Sequence, residues 1–157
     1  MIIEGWFEIK DDKGNIELVA HNDVLDKGSR WILSAISNTI VADGYPANAA
    51  KHIQYGSGTT PVVPSADWHL ESFTGDLGAV TVVTKVSDTL ISMALTYTTT
   101  NNPIYINEMA ITLTATNPVS SVNYAHAVLD RCVLAATYII PPNTTKTITY
   151  YMKIKTS

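Results

Sequence analysis

The sequence predicts a mainly β protein: an antiparallel β-sandwich of about eight strands with one short α-helix near residues 24–37. Three observations predict it. Apolar residues recur at every second position over most of the chain, which is the strand period. Threonine, a β-branched residue suited to strands, occurs twenty times among 157 residues. Clusters of Gly, Pro, Asn and Asp separate the alternating segments, as turns require.

The first element pair is a hairpin. Ile3, Trp6, Phe7 and Ile9 lead into the turn cluster Asp11-Asp12-Lys13-Gly14-Asn15, and Ile16, Leu18 and Ala20 follow it. The period then changes. Asn22 or Asp23 caps a predicted helix in which Val24, Trp31, Ile32, Ala35 and Ile36 recur at helical spacing, with Gly28 weakening it by about 1 kcal/mol relative to alanine. Residues 38–50 read as a loop. A short strand, His52-Ile53-Gln54-Tyr55, enters the Gly56-Ser57-Gly58-Thr59-Thr60-Pro61 turn, and a long polar loop continues to about Gly78.

From residue 79 onward every segment reads as a strand. Val80, Val82 and Val86 alternate up to the Ser87-Asp88 turn. Ile91, Met93, Leu95 and Tyr97 alternate up to Asn101-Asn102-Pro103. Met109, Ile111 and Leu113 alternate with Ala110, Thr112 and Thr114 up to Asn117-Pro118. Residues 124–140 are more continuously apolar, which predicts burial on both faces or a pair of strands. After the Pro141-Pro142-Asn143 turn, Ile148, Tyr150, Met152 and Ile154 oppose Thr147, Thr149, Tyr151 and Lys153. No repeat, charge block or linker divides the chain, so residues 1–157 read as a single β-sandwich domain.

Composition excludes several function classes. The chain is 46% hydrophobic but only 15% charged, below the ~25% usual for globular proteins. Disorder needs the opposite balance. No apolar run approaches the ~18 residues of a membrane-spanning helix, so no membrane partner is expected. The net charge of −4 leaves no basic surface for a nucleic-acid backbone. The opening residues lack the basic start and apolar run of a signal peptide. Cys132 is the single cysteine, which excludes a disulfide scaffold and a Cys-rich zinc site. Threonine faces are nearly uncharged, lose little on desolvation, and suit contact with neighbours in an assembly.

The residues that carry chemistry do not converge in the sequence. His21, His52, His69 and His126 show no metal-ligand spacing, and neither a metal nor another cofactor is expected. Asp67, His69 and Glu71 would share one face of an extended segment beside a Pro-containing loop, where turn and surface roles predominate. Cys132 sits in an apolar strand as a small buried side chain, with His126 too distant to activate it. Gly56-Ser57-Gly58-Thr59-Thr60 lacks the lysine and the following helix of a phosphate loop. Trp6, Trp31, Trp68 and the tyrosines would suit a sugar-stacking platform but fall on separate elements. No catalytic residue is expected.

One constellation rises above these single signals. HNDVLDKGSRWILSAIS surrounds the predicted helix. HIQYGSGTTPVVPSADWHLES runs from a strand through a Gly-x-Gly-Thr-Thr turn and a Pro/Ser loop to a Leu-Glu close. INEMAI opens a strand, and AHAVLDRCVLAATYIIPPNTTKTITYYMKI forms an Arg-containing strand, a turn and a final alternating strand. In order and spacing, over residues 20–155, this resembles a family of small structural proteins of tailed bacteriophages and related archaeal viruses. The chain departs from that pattern at Met109-Ala110-Ile111, where a glycine more often follows the glutamate.

The resemblance implies a non-enzymatic virion protein whose partners are copies of itself and major capsid or tail proteins. The first expectation is a capsid decoration (cement) or turret protein on the particle exterior. The alternative is a tail, collar or baseplate ring or fibre-associated subunit, and a more distant one is a carbohydrate-binding module. It implies structural roles for six residues: Gly56 and Gly58 in the turn, Leu70 in packing, and Glu71, Glu108 and Arg131 in buried or interfacial ion pairs.

Overall fold

The structure, a computed structural model, describes residues 2–24, 50–63, 70–116 and 123–155. The predicted hairpin forms strands β1 (Ile2–Lys10) and β2 (Ile16–Val24). Its turn is closed by Asp11, whose Oδ1 accepts the backbone N–H groups of Lys13 (3.0 Å) and Asn15 (2.7 Å). Gly14 supplies the left-handed residue there, at φ 85°. The chain continues with β3 (Ala50–Gly56), β4 (Phe73–Ala79), β5 (Val82–Ser87), β6 (Leu90–Thr98), β7 (Ile104–Thr116), β8 (Asn123–Ile140) and β9 (Thr145–Lys155). The β8–β9 turn places Asn143 at φ 52°, a conformation that asparagine tolerates. The buried Thr99 holds that turn, donating to the Pro141 carbonyl (2.5 Å) and accepting from the Thr144 N–H (2.9 Å).

Hydrogen bonding follows one antiparallel order, β4-β3-β7-β8-β2-β1-β9-β6-β5. It divides into a four-stranded sheet (β4-β3-β7-β8) and a five-stranded sheet (β2-β1-β9-β6-β5). Among the described residues the two meet along β2 and β8 through two residue pairs, Asp23–Arg131 and Val24–Asp130. Opposite that seam the chain itself passes from one sheet to the other between β4 and β5. Gly78, at φ 123°, makes the bend. Val80 N–H then bonds the Lys51 carbonyl of β3 (2.8 Å), and Thr81 N–H bonds the Ala94 carbonyl of β6 (2.9 Å).

Both sheets supply one core. Phe7 and Ile9 of β1, Met93 and Leu95 of β6, and Ile148 and Tyr150 of β9 pack with Ile53 of β3, Met109 and Ile111 of β7, and Leu129 of β8. The period-2 patterns of β6 and β9 therefore identified core-facing residues correctly, and in β1 Ile3, Phe7 and Ile9 face the core while Trp6 lies on the outer face. Tyr150 is wholly buried, and its hydroxyl donates to Asp130 Oδ2 across the interior at 2.5 Å. Burial first, and the nearby Asp130 carboxylate second, push the Tyr150 hydroxyl well above its usual pKa, so it stays a donor. Gly5 makes room for this bond: a Cβ there would come 2.6 Å from the Tyr150 hydroxyl and closer still to Asp130.

Three expectations need correction. Nine strands are present among the described residues rather than about eight. The extra one is β4, which falls inside the segment expected to be loop up to Gly78. Its sequence, FTGDLGA, carries two glycines and no alternation, and its pairing with β3 has register shifts at two places, so no strand period marks it. The helix expected at 24–37 does not begin where it was placed, since Val24 is still extended and closes β2 on β8. Residues 25–49 lie outside the described residues, and no helix occurs among the described ones. Finally, the Ala110 and Thr112 side of β7 is not a solvent face: both residues are fully buried. Of the two alternatives read for residues 124–140, the structure has the single strand, β8.

Gly5→Ala tests the cross-core bond directly. Forcing a methyl group between Asp130 and Tyr150 is expected to lower unfolding free energy by about 2–3 kcal/mol. Urea denaturation measures this, and an unchanged midpoint would show that the interior yields freely at Gly5.

Candidate functional site

The outer face of the four-stranded sheet carries the densest polar cluster among the described side chains, and it joins all six residues singled out by the resemblance. Glu108 lies on β7 next to Asn107, and Arg131 lies on β8 next to Asp130. Both are buried, at 0% and 2% exposure. Arg131 Nε donates to Glu108 Oε2 at 2.7 Å. Burying such a pair costs desolvation, which is offset only if the remaining lone pairs and protons find partners. Here they do. Glu108 Oε2 also accepts the Glu71 N–H (3.0 Å), while Oε1 accepts the N–H groups of Ser72 (2.7 Å) and Gly58 (3.1 Å). Arg131 Nη2 donates to the Thr60 carbonyl (3.1 Å) and lies 3.6 Å from Glu71 Oε2.

The cluster therefore fastens two backbone segments, 57–60 and 70–72, to the sheet. The same two segments are tied to each other, because Ser57 N–H bonds the Ser72 carbonyl at 2.9 Å and Glu71 binds Thr60 through its N–H (2.8 Å) and hydroxyl (2.5 Å). These contacts, the Thr60 hydroxyl foremost, hold the Glu71 carboxyl below its usual pKa. Gly56 and Gly58 are required by the close approach rather than by phosphate binding. A Cβ on Gly58 would meet Glu108 and Glu71 at 2.6 Å, and one on Gly56 would strike Glu108 and the Ser72 backbone. Leu70, 4% exposed, packs with Ala110, Val128 and Val62 in a small second cluster beneath this strap. Every Glu108 oxygen is engaged and none is exposed, so Glu108 acts as a mechanical tether; Glu71, at the surface, is held by Thr60.

The other sequence candidates separate. Asp67, Trp68, His69 and Trp31 lie outside the described residues, as does the side chain of His126. His52 pairs with Asp76 across β3 and β4 at 2.8 Å. Cys132 is buried, and burial, then the Asp130 carboxylate, pushes its thiol up to about 12, so it is not a nucleophile. No group of three metal-binding side chains occurs among the described residues. Trp6 stands in a cross-strand row on the outer face of the five-stranded sheet, stacked on Tyr151 with ring centroids 5.0 Å apart and planes at 11°. Rings so placed cover each other's faces, which is cross-strand packing rather than a flat platform for a sugar.

Two groupings were missed by sequence reasoning. Glu17 of β2 is bound by the buried Lys146 of β9 (2.6 and 2.8 Å) and by the Tyr138 hydroxyl of β8. Between that contact and the β2–β8 seam, the two strands part to leave a cleft of about 470 Å³, walled by Leu18–His21 and Val133–Tyr138. Nothing in the linear pattern marks residues so far apart. The second, Tyr150 with Asp130, did carry a signal: an isolated glycine, Gly5, inside a strand pattern marks a close approach.

Comparison of the chain with protein-family models, with curated proteins and with solved structures gives no match.

Because the Glu71 carboxyl is depressed, its hold on the strap is fully present above the usual carboxylate range. It is lost as pH falls through the depressed value. Hydrogen-exchange protection of the Thr60 amide is expected to follow that titration and to disappear in acid before the core amides exchange. Protection of Thr60 that outlasts core protection in acid would contradict this role for Glu71.

Proposed function

We propose that the chain is a non-enzymatic structural subunit of a tailed virus particle, a β-sandwich that decorates the capsid exterior as a cement or turret protein. The observation that carries this reading is an uncharged stretch of outer surface running to an open sheet edge. Core-facing residues of β6 and β9 are Met93, Leu95, Ile148 and Tyr150, so their neighbours point outward. Strand register aligns these neighbours across the sheet: Thr147 with Thr96, Thr149 with Ala94 and Val82, and Tyr151 with Ser92 and Thr84. None is charged, and Thr149 is itself nearly covered. Charges flank this stretch: Glu8 and Lys10 of β1 pair with one another at 2.9 Å, and Lys153 follows Tyr151 in the same row of β9.

Such a face is inexpensive to desolvate, and charge depletion is what distinguishes the buried centre of a protein contact. The ordered resemblance to viral structural proteins supplies the setting, the virion, and the partners: further copies and the major capsid or tail proteins. The mechanism is burial of neutral sheet surface between subunits, which resists pressure or shear without chemistry. The same face would serve a ring subunit of a tail, collar or baseplate, and one experiment separates the two placements.

Cryo-electron microscopy of purified particles is expected to show density for this chain repeating over the capsid lattice. Density confined to the tail axis would replace the decoration reading with the tail reading. Absence of the chain from purified particles would remove both.

A further inference from the structure

The five-stranded sheet ends at β5, whose outer side has no strand beside it among the described residues. All six residues of β5 are exposed. Three are valines, with Val82 at 54%, Val83 at 61% and Val86 at 52%. An edge with free N–H and C=O groups and apolar side chains is a template for another strand, and natural proteins usually blunt such edges with charge, proline or a covering segment. Here the single charge, Lys85, pairs with Asp88 at 2.7 Å, and there is no proline. The opposite edge, β4, is less suitable, since it contains two glycines and irregular pairing.

The sequence of β5 indicates what pairs with it. Val82-Val83-Thr84-Lys85-Val86 has valine two residues to either side of Thr84. We propose that β5 pairs antiparallel with β5 of a second copy about a two-fold axis at Thr84, joining the two five-stranded sheets edge to edge. In that register Val82 lies opposite Val86 of the second copy, Val83 opposite Lys85, and Thr84 opposite Thr84. Like charges do not meet, and the Thr–Thr and Val–Val pairs are favourable cross-strand neighbours. The register shift between Lys85 and Ser87 ends the regular ladder, so pairing spans Val82–Val86. A two-fold contact of one patch with itself is the commonest form of protein association. It also doubles the uncharged outer face, since Val82 and Thr84 continue the rows begun on β9 and β6.

This names a self-contact for the structural subunit and rests on that reading for its purpose in a particle, while its test uses the isolated chain. Thr84→Cys places two thiols across the axis, within the Cα separation that a disulfide spans. The native Cys132 is buried and does not compete. With oxidised glutathione, Thr84→Cys is expected to give a covalent dimer, whereas Thr96→Cys, exposed on the same face but two strands from the axis, is not. In analytical ultracentrifugation the unmodified chain is expected to dimerise, and Thr84→Lys, which sets like charges opposite each other, is expected to raise the dissociation constant about tenfold with an unchanged melting temperature. A monomeric chain, equal cross-linking at both positions, or a dimer indifferent to Thr84→Lys would overturn the proposal. A cross-linked dimer from a chain absent from particles would leave the edge pairing standing and remove the virion reading; a lattice-bound monomer would do the reverse.

Discussion

The buried carboxylate of Glu108 is the constraint on which the covered side of the four-stranded sheet depends. A charge without solvent must be matched group by group, and Glu108 is matched by one guanidinium and three backbone N–H groups. Those donors come from Arg131 of β8, from residue 58 and from the adjacent residues 71 and 72, three places distant in sequence from each other and from β7. The carboxylate thereby dictates where the chain after β3 must run and where it must return before β4. It also explains the two glycines, because backbone can reach a buried carboxylate this closely only where no Cβ intervenes. Leu70 and its apolar partners then fill the space under the returning chain.

A second buried polar link does the corresponding work inside the core. Tyr150 and Asp130 connect β9 of one sheet to β8 of the other, close to the seam where β2 and β8 pair. The buried hydroxyl–carboxylate bond reinforces the seam where Gly5 leaves room. The opposite side is held covalently, by the bend at Gly78 that carries β4 into β5. With its interior fixed in these ways, the protein exposes a weakly charged sheet surface and, among the described residues, the open edge of β5, and its proposed role as an assembly subunit rests on those two features.

The alternating strands were legible because their physics is local. In β6 and β9, one face meets the core and the other meets solvent, so the period-2 pattern appears directly in residues such as Met93, Leu95, Ile148 and Tyr150. β4 was not legible, since a bent and irregular edge strand needs no alternation. The polar side of β7 was misleading because Thr112 and Ala110 are covered by other parts of the chain, a tertiary fact that no strand period contains. The six residues of the tether came from ordered resemblance rather than from spacing. Glu108 and Arg131 did leave one local trace, as charges in strands whose other residues are mostly apolar. Which backbone groups would complete them depended on a fold that places residues 58, 71 and 131 around one carboxylate.

The most direct test of this account is a double-mutant cycle on the tether, with Glu108→Gln, Arg131→Gln and the double variant compared by urea denaturation. Each single change leaves the other group buried without its charged partner, whereas the double change removes both charges together. The account predicts a coupling energy of at least about 2 kcal/mol between the two positions. Additive effects, agreeing within about 0.5 kcal/mol, would mean that Glu108 and Arg131 do not act as a pair and that the strap is held by other means.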